Sequence, residues 1–482
     1  MQAINNFFQT KRNVYIVAGV VTLLLITIVA LALNRPAPKQ TVDINNQKVT
    51  LVWWKPFYGS EVYGDIIKDF KAIPGNNNID IQLVDKEYND DYYKSLISDI
   101  ARGAGPDIFT IRNDDLPAYK EFMTPLNIFS GDLLAKYKSD FVDLAVKDTI
   151  DKDKVYAITS YVENLQLYFN KNLLSQNGIA LPARTWKEVE KHVPLLNKRN
   201  PNTQNFDISA ISLGTGGRGL EGSPNINRHE DIIPMLLFQS GGQLYDSQSN
   251  KVVFGSSPNT IDQETGVSTT TGFGELDEES QAFRAVEFYT DFADLTSSRY
   301  SWNTASPQNI DAFSEGKLAY MIHFSYMKDI LQERNSRLPF DVAPLPQLDP
   351  EIKKTYGFFF MDGMNRKLET DSSQALKKSA AEKFLYYLSL PESQRQFVAN
   401  TKLPASRKDI VEEQLKSSDQ IRVFADGSLY ADNYYKPDVV KTEQIWTDMI
   451  ERVQYEGQPL KESIEVAIQE YQLIVQKGPK LR

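Results

Sequence analysis

Between residues 48 and 112 strand-like and helix-like runs alternate, and this alternation limits the folds open to the chain. KVTLVWW has the character of a strand, and SEVYGDIIKDFKAI that of an amphipathic helix capped by Ser60. IDIQLV is a second strand, DDYYKSLISDIARG a second helix closed by Gly103, and PDIFTIR a third strand. Strand, helix, strand, helix, strand at this spacing implies a parallel sheet joined by right-handed crossovers. At 482 residues the chain is expected to divide into two or more lobes. Open parallel sheets bind ligands just beyond the carboxyl ends of their strands. In those positions stand Trp53-Trp54-Lys55-Pro56-Phe57, Arg112-Asn113-Asp114-Asp115 and Tyr161-Val162-Glu163-Asn164. Rings beside paired hydrogen-bonding groups suit a sugar, whose C–H faces pack on aromatics and whose hydroxyls need donors and acceptors.

The chain has no cysteine, which excludes disulfides, thiolate nucleophiles, cysteine-ligated zinc and iron–sulfur clusters. It also excludes a lipid anchor on an N-terminal cysteine. None of the three histidines, His192, His229 and His323, is spaced as a metal pair, and a His-dependent triad has little support. No metal, cofactor or catalytic residue is expected. Formal net charge is −10 with both signs mixed along the chain, and without a basic stripe no nucleic-acid partner is expected.

Residues 14–33, VYIVAGVVTLLLITIVALAL, carry no charge and are long enough to span the hydrocarbon core as a helix. A cleaved signal peptide has a shorter apolar region, roughly 7–15 residues. The expectation is a cytoplasmic tail over 1–12, a transmembrane helix over 13–34 and a polar, proline-containing tether over 35–46. Ala30 and Ala32 leave cleavage as the alternative. Lys11 and Arg12 face Arg35 and Lys39 across the span, so the positive-inside rule contributes little. No later segment is comparably long and apolar, so the remainder is expected on one side, extracellular or periplasmic.

Further helices are expected at 185–197, from the cap Thr185, and at 279–295, 376–389, 391–400, 440–456 and 459–476. Residues 198–230 and 255–278, rich in Gly, Ser, Thr and Asn, read as surface insertions. GTGGRG (214–219) lacks the Lys-Ser/Thr of a phosphate loop, and DKEYNDDYYKSL (85–96) lacks the glycine of a calcium loop. In VYAITSYVENLQLYFNKNLL (155–174), strand-like alternation at Leu165, Leu167 and Phe169 is preceded by the polar SYVEN.

In order, these segments resemble the extracellular solute-binding proteins of carbohydrate ABC importers, the family 1 class that includes maltose-binding protein. KVTLVWW resembles the family's first strand with its tryptophan, and ARGAGPDIF its G-x-x-PD segment. KVYAITSYVENLQLYFNKNLL resembles its lobe-crossing segment, and LPARTWKEV its P-x-TW-x-E helix start. FQSGGQLY, AFSEGKLAYMIHFSYM, VAPLPQ and LPAS follow in the family's order, so the likeness covers nearly everything after residue 47. It departs at Ala157-Ile158-Thr159, where the family has a proline, at Tyr326 in place of tryptophan, and in the bulky GFFFMDG (357–363).

The resemblance implies an α/β, two-lobed, type II-like periplasmic-binding-protein fold, preceded here by the transmembrane helix. Hinge strands would cross near 160–164, 355–360 and 401–406. One lobe would be 47–161 plus 357–403, the other 162–356 plus 404–476. Hinge closure around a ligand is the motion such proteins use. The implied function is a monomeric, membrane-anchored receptor that binds a sugar or oligosaccharide between the lobes and delivers it to an ABC permease. Alternatives are a polyamine, amino acid or peptide in the same fold, or an anchored glycosidase using two carboxylates.

Trp53 and Trp54 point to opposite faces of a strand, and the resemblance puts Trp54 in the cleft. Asp114, with Asp115 beside it, is a ligand contact or the N-cap of a helix at 115–121. Glu163 corresponds to a ligand-contacting glutamate of the maltose-binding branch; otherwise it is a hinge carboxylate with an ionic partner. Tyr161, Tyr326, Phe359 and Trp446 complete the implied ligand-binding set. Trp446 alternatively joins the apolar stripe of Ile445, Met449 and Val453. Trp186 reads as structural, and Trp302 as a loop residue able to close over the ligand.

Overall fold

The computed structural model describes residues 47–482, apart from 203–204, 217–223, 248, 255–275 and 277–279. The expected tail, transmembrane helix and tether lie outside the described residues, as does nearly all of the insertion 255–278. Among the described residues no helix is long and apolar enough to cross a membrane.

The alternation at the start of the described chain forms a sheet. Val49–Lys55 lies between Ile79–Asp85 and Ile108–Arg112, both parallel to it. Phe360–Asn365 returns from far along the chain to add antiparallel beside Ile108–Arg112. Met123–Thr124 and Ala157–Ile158 pair with that returning strand. The crossover helices are Ser60–Ala72 and Asp90–Ala101. Ser60 is the first helical residue rather than the cap; Gly59 holds the cap position, and its N–H donates to Glu61 Oε1 at 2.7 Å. An acid in the first turn thus satisfies the amide of the cap residue itself, a different donor from the N2 or N3 amide that a serine cap accepts from. The second helix is capped by Asn89, and Gly103 follows it at φ 73°, the left-handed turn that favours glycine.

Strand alternation separates the paired tryptophans. Trp53 points into the core against Tyr63 and Phe384, and its indole N–H donates to the buried Asp362 at 3.0 Å. Asp362 is balanced by Lys55 at 3.0 Å. The opposite-facing Trp54 ring carries the Lys86 ammonium 3.7 Å from its centroid.

A second sheet is built around Gln166–Asn170, flanked antiparallel by Leu318–His323 and Phe340–Ala343. Phe206–Ile211 lies parallel to Leu318–His323. The helix Trp186–Leu196 starts with a reciprocal capping box between Thr185 and Glu188. Trp186 is structural, its indole donating to Gln239 at 2.6 Å. Trp302 is buried in the core of this sheet rather than free to cover a ligand.

Buried apolar residues fall into two clusters. One draws on 49–162 and 359–411 with Ala425 and Ala431, the other on 165–356 and 423–475. Residues 404–414, assigned to the second lobe by resemblance, place Ile410 and Val411 in the first cluster, because Lys408–Gln414 packs on the helix Pro391–Thr401. Between the cores runs a short ribbon. Thr355–Phe358 pairs antiparallel with Glu163–Asn164 on one edge and parallel with Ala431–Asp432 on the other. A separate bridge joins Tyr161 to Ala405. Gly357 is needed here: a Cβ would lie 2.9 Å from Glu163 O, Ala431 Cβ and Leu144 Cδ2 alike.

Candidate functional site

The ribbon carries Glu163 between the two cores. The side chain is 2 % exposed, and both its oxygens are held by Ser325, which follows the strand Leu318–His323. Oε2 accepts the Ser325 N–H at 2.8 Å and Oε1 its hydroxyl at 2.9 Å. Burial outweighs these bonds and pushes the carboxyl up to about 7. Its partners are therefore neutral donors rather than the cation a hinge carboxylate would require.

Aromatic side chains from both cores gather at this edge. Tyr58 meets Tyr161 edge-to-face at 5.8 Å, and Tyr161 stacks on Phe397 at 5.7 Å. Tyr326 stacks on Phe324 at 6.0 Å, which meets Phe358 at 4.7 Å. Phe358 leads through Phe360 to Phe57 and Tyr88. Burial and then the Glu163 charge raise the Tyr58 phenol, and burial pushes the half-buried Tyr326 up to about 12. These phenols stay protonated donors. Tyr58 sits at φ 56°, a left-handed conformation costly for a bulky residue and found where the surroundings demand a side-chain position.

Behind Phe358 lies a buried set of charges. Arg112, its guanidinium 4.9 Å from the Phe358 ring centroid, pairs with Asp114 at 3.0 Å and Glu443 at 3.3 Å. Lys436, wholly buried, approaches Glu443 at 3.2 Å, Asp114 at 3.4 Å and Asp231 at 3.9 Å, and donates to Tyr356 Oη at 3.0 Å. Arg228 joins Asp231 to Glu230 and lies 5.4 Å from the Phe324 ring centroid. Burial opposes the Lys436 charge, but Asp114, Tyr434 and Glu443 outweigh it and raise its pKa. Burial likewise opposes the Glu443 carboxylate, and Lys436 and Arg112 hold it well below the usual range. Arg112 Nε and both Asp114 oxygens have ionic neighbours but make no hydrogen bond, leaving capacity for a polar ligand.

At the Ala431–Asp432 edge a groove of about 830 Å³ opens, with walls from both cores. Lys120, Lys147 and Asp148 stand on one side, Phe238, Tyr245 and Tyr434 on the other. Asn113 donates to Asp148 at 2.7 Å, and Lys147 reaches Asp432 at 2.7 Å across the opening. Among the described residues no group of three or more His, Asp or Glu is placed to hold a metal.

Of the residues singled out in the sequence, the structure brings Tyr161, Glu163 and Tyr326 together. Asp114 lies in the adjoining charge network and lines the groove rather than capping a helix; Asp115 occupies the cap position without a side-chain capping bond. Trp54 is covered by Lys86. Phe359 is fully buried in the first core, its N–H donating to Asn113 Oδ1. Trp446 is fully buried in the second, donating to Tyr434 at 2.7 Å, so the apolar helix stripe describes it. Tyr58, Ser325, Arg228, Lys436 and Glu443 went unnamed. Tyr58 adjoins the flagged WWKPF, but nothing in sequence brings Arg228, Lys436 and Glu443 to one place.

Residues 65–423 match the pattern described as bacterial extracellular solute-binding protein. The chain belongs to that family. Its members bind solutes and are not enzymes. No curated protein matches the sequence. Among solved structures, the solute-binding fold recurs in the cyclic alpha-maltosyl-1,6-maltose binding protein of Arthrobacter globiformis, at 16% identity and TM-score 0.69, covering 89% of this chain and 100% of that one. A cyclo/maltodextrin-binding protein matches at 16% identity and TM-score 0.68, covering 90% and 99%. The sugar-binding protein MalE of Xanthomonas citri matches at 18% and 0.64, covering 89% and 98%.

Proposed function

We propose that this solute-binding protein is the receptor of an ABC importer, held at the outer face of the membrane by residues 13–34. A sugar or oligosaccharide binds between two lobes beside Glu163, the lobes close over it, and the closed form hands it to the permease. The lobes are 47–161 with 357–403 and 162–356 with 404–476, the second giving up Val162, Ala405, Ile410, Val411, Ala425 and Ala431 to the first core. The observation that carries the sugar is the Glu163 edge. A carboxylate near neutrality and protonated phenols there, with unfilled polar capacity at Arg112 and Asp114 in the adjoining charge network, offer the mixed donors and acceptors that hydroxyls require. The rings of Tyr58, Phe358 and Phe360 offer apolar faces for the C–H side of a pyranose. Structural neighbours described as bound to maltotetraose, maltose and alpha-D-tagatose support the choice.

The test is a melting-temperature series on the full chain in detergent with maltose, maltotetraose, D-tagatose, spermidine and amino acids. A solute far above its dissociation constant raises melting by a mass-action amount. A dose-dependent rise with one of the sugars is expected; a rise with spermidine or an amino acid and none with sugars overturns the carbohydrate assignment. Retention of the chain in membranes after alkaline extraction tests the anchor.

A further inference from the structure

After the helix Leu460–Lys477 the chain leaves the second core and crosses to the first. The helix is fixed by Ile464, Ala467, Tyr471, Ile474 and Val475. Gly478, at φ 76°, turns the chain away. Lys480 is still tied to the second core's side, its N–H donating to Pro437 O at 2.7 Å and its ammonium pairing with Asp438 at 3.2 Å. Leu481 packs against the first cluster. Arg482 Nε donates to Asp115 Oδ1 at 2.9 Å, and its guanidinium lies 5.2 Å from the Tyr93 ring centroid. Asp115 is 2 % exposed and also accepts the Tyr93 hydroxyl at 2.6 Å. Tyr93 meets Tyr88, which packs on Phe57 and Phe360 at the Glu163 edge.

We propose that residues 478–482 are a strap fastening the two lobes beside the ligand cleft, so that opening requires Arg482 to leave Asp115. The proposal rests on the two-lobed reading above and not on the choice of sugar. Withdrawal leaves a buried carboxylate without its cation, a costly state even where the pair itself adds little to stability. The strap therefore biases the empty receptor toward closure and makes release of Arg482 part of solute entry. Arg482 acts through Asp115 and not on the solute; it is a positioning residue.

The chain has no cysteine, so two introduced ones can carry nitroxide labels without competition. Ser98→Cys on the helix Asp90–Ala101 and Gln332→Cys on the helix Met327–Arg334 are both exposed, one on each core. Pulsed dipolar spectroscopy on the full chain in detergent, without solute, reads the distance between them. Arg482→Ala is expected to move the distribution several ångströms longer, Leu481→Ser to move it less in the same direction, and Arg482→Lys to restore it in part. Superimposable distributions for the parent, Arg482→Ala and Leu481→Ser overturn the strap. Saturating maltotetraose, added as a separate arm, reports on the sugar reading alone, so the two failures stay distinct.

Discussion

The two edges of the crossing ribbon solve the same problem, polar groups buried between two cores, with different chemistry. At the Glu163 edge the carboxylate is met by a serine and by phenols, all neutral, and its pKa rises to about 7. At the Ala431–Asp432 edge and in the network behind it, Lys436 and Arg112 meet Asp114 and Glu443 at 3.0 to 3.4 Å. The first arrangement leaves a charge undecided, so an incoming hydroxyl or a proton can change its state. The second is internally neutralised and holds the cores in register. Response and rigidity are thus assigned to opposite edges of one ribbon.

Removing charge from the rigid edge tests that division most severely. Lys436→Met leaves Asp114 and Glu443 to share Arg112 alone in a buried site, and breaking a buried ion pair from one side costs about 3–5 kcal/mol. Urea denaturation should show that loss; a loss below about 1 kcal/mol would mean the network is too hydrated to fix the cores. At the responsive edge the effect is a slope rather than an offset. The folded pKa of Glu163, about 7, lies above its ordinary 4.5, so between these values the folded protein keeps a proton the unfolded chain has released. This stabilisation is complete below pH 4.5 and is lost as pH rises through 7, in total about 3 kcal/mol. Glu163→Gln cannot titrate, so from pH 5 to 8 it should lose less stability than the parent. Parallel urea profiles for the two proteins would show that Glu163 is already ionised in the fold.

How far these edges could be read in advance follows from the range of each signal. The first sheet was legible because its strands and helices alternate locally from Val49 to Arg112. The resemblance returned 357–403 to the first lobe, but the pairing of Phe360–Asn365 was not legible, since its partner Ile108–Arg112 lies some 250 residues earlier and no pattern within either strand names the other. Glu163 stood out because a carboxylate interrupts apolar alternation. Arg228, Lys436 and Glu443 look like ordinary surface charges, and only tertiary structure makes them neighbours. Trp446 shows the converse: a tryptophan at a suggestive position whose helix buries it through the Ile445 and Met449 stripe.

Tyr326 separates binding from folding at the responsive edge. It is half-buried, and its ring stacks on Phe324 at 6.0 Å rather than filling the core. Tyr326→Ala should weaken the bound sugar about tenfold, near 1.4 kcal/mol, by removing one ring face and one donor. Titration calorimetry measures this, and a melting curve close to the parent's is required alongside it. Unchanged affinity would move the solute away from Glu163, toward the 830 Å³ groove at the other edge.

The smallest effect belongs to Lys147, which spans that groove. Its ammonium reaches Asp432 at 2.7 Å and the Asn433 carbonyl at 2.8 Å, but its side chain is 49% exposed. Solvent screens such a pair, and exposed pairs contribute about 0–1 kcal/mol. Lys147→Ala should therefore cost less than about 1 kcal/mol in urea, and the difference should shrink in 1 M salt, where screening acts over about 3 Å. The contrast with Lys436 then becomes a measurement of burial: two lysines near one edge, each facing Asp and Asn or Glu, differing chiefly in access to water. A loss from Lys147→Ala as large as that from Lys436→Met, and insensitive to salt, would show that the groove excludes water and belongs with the rigid network.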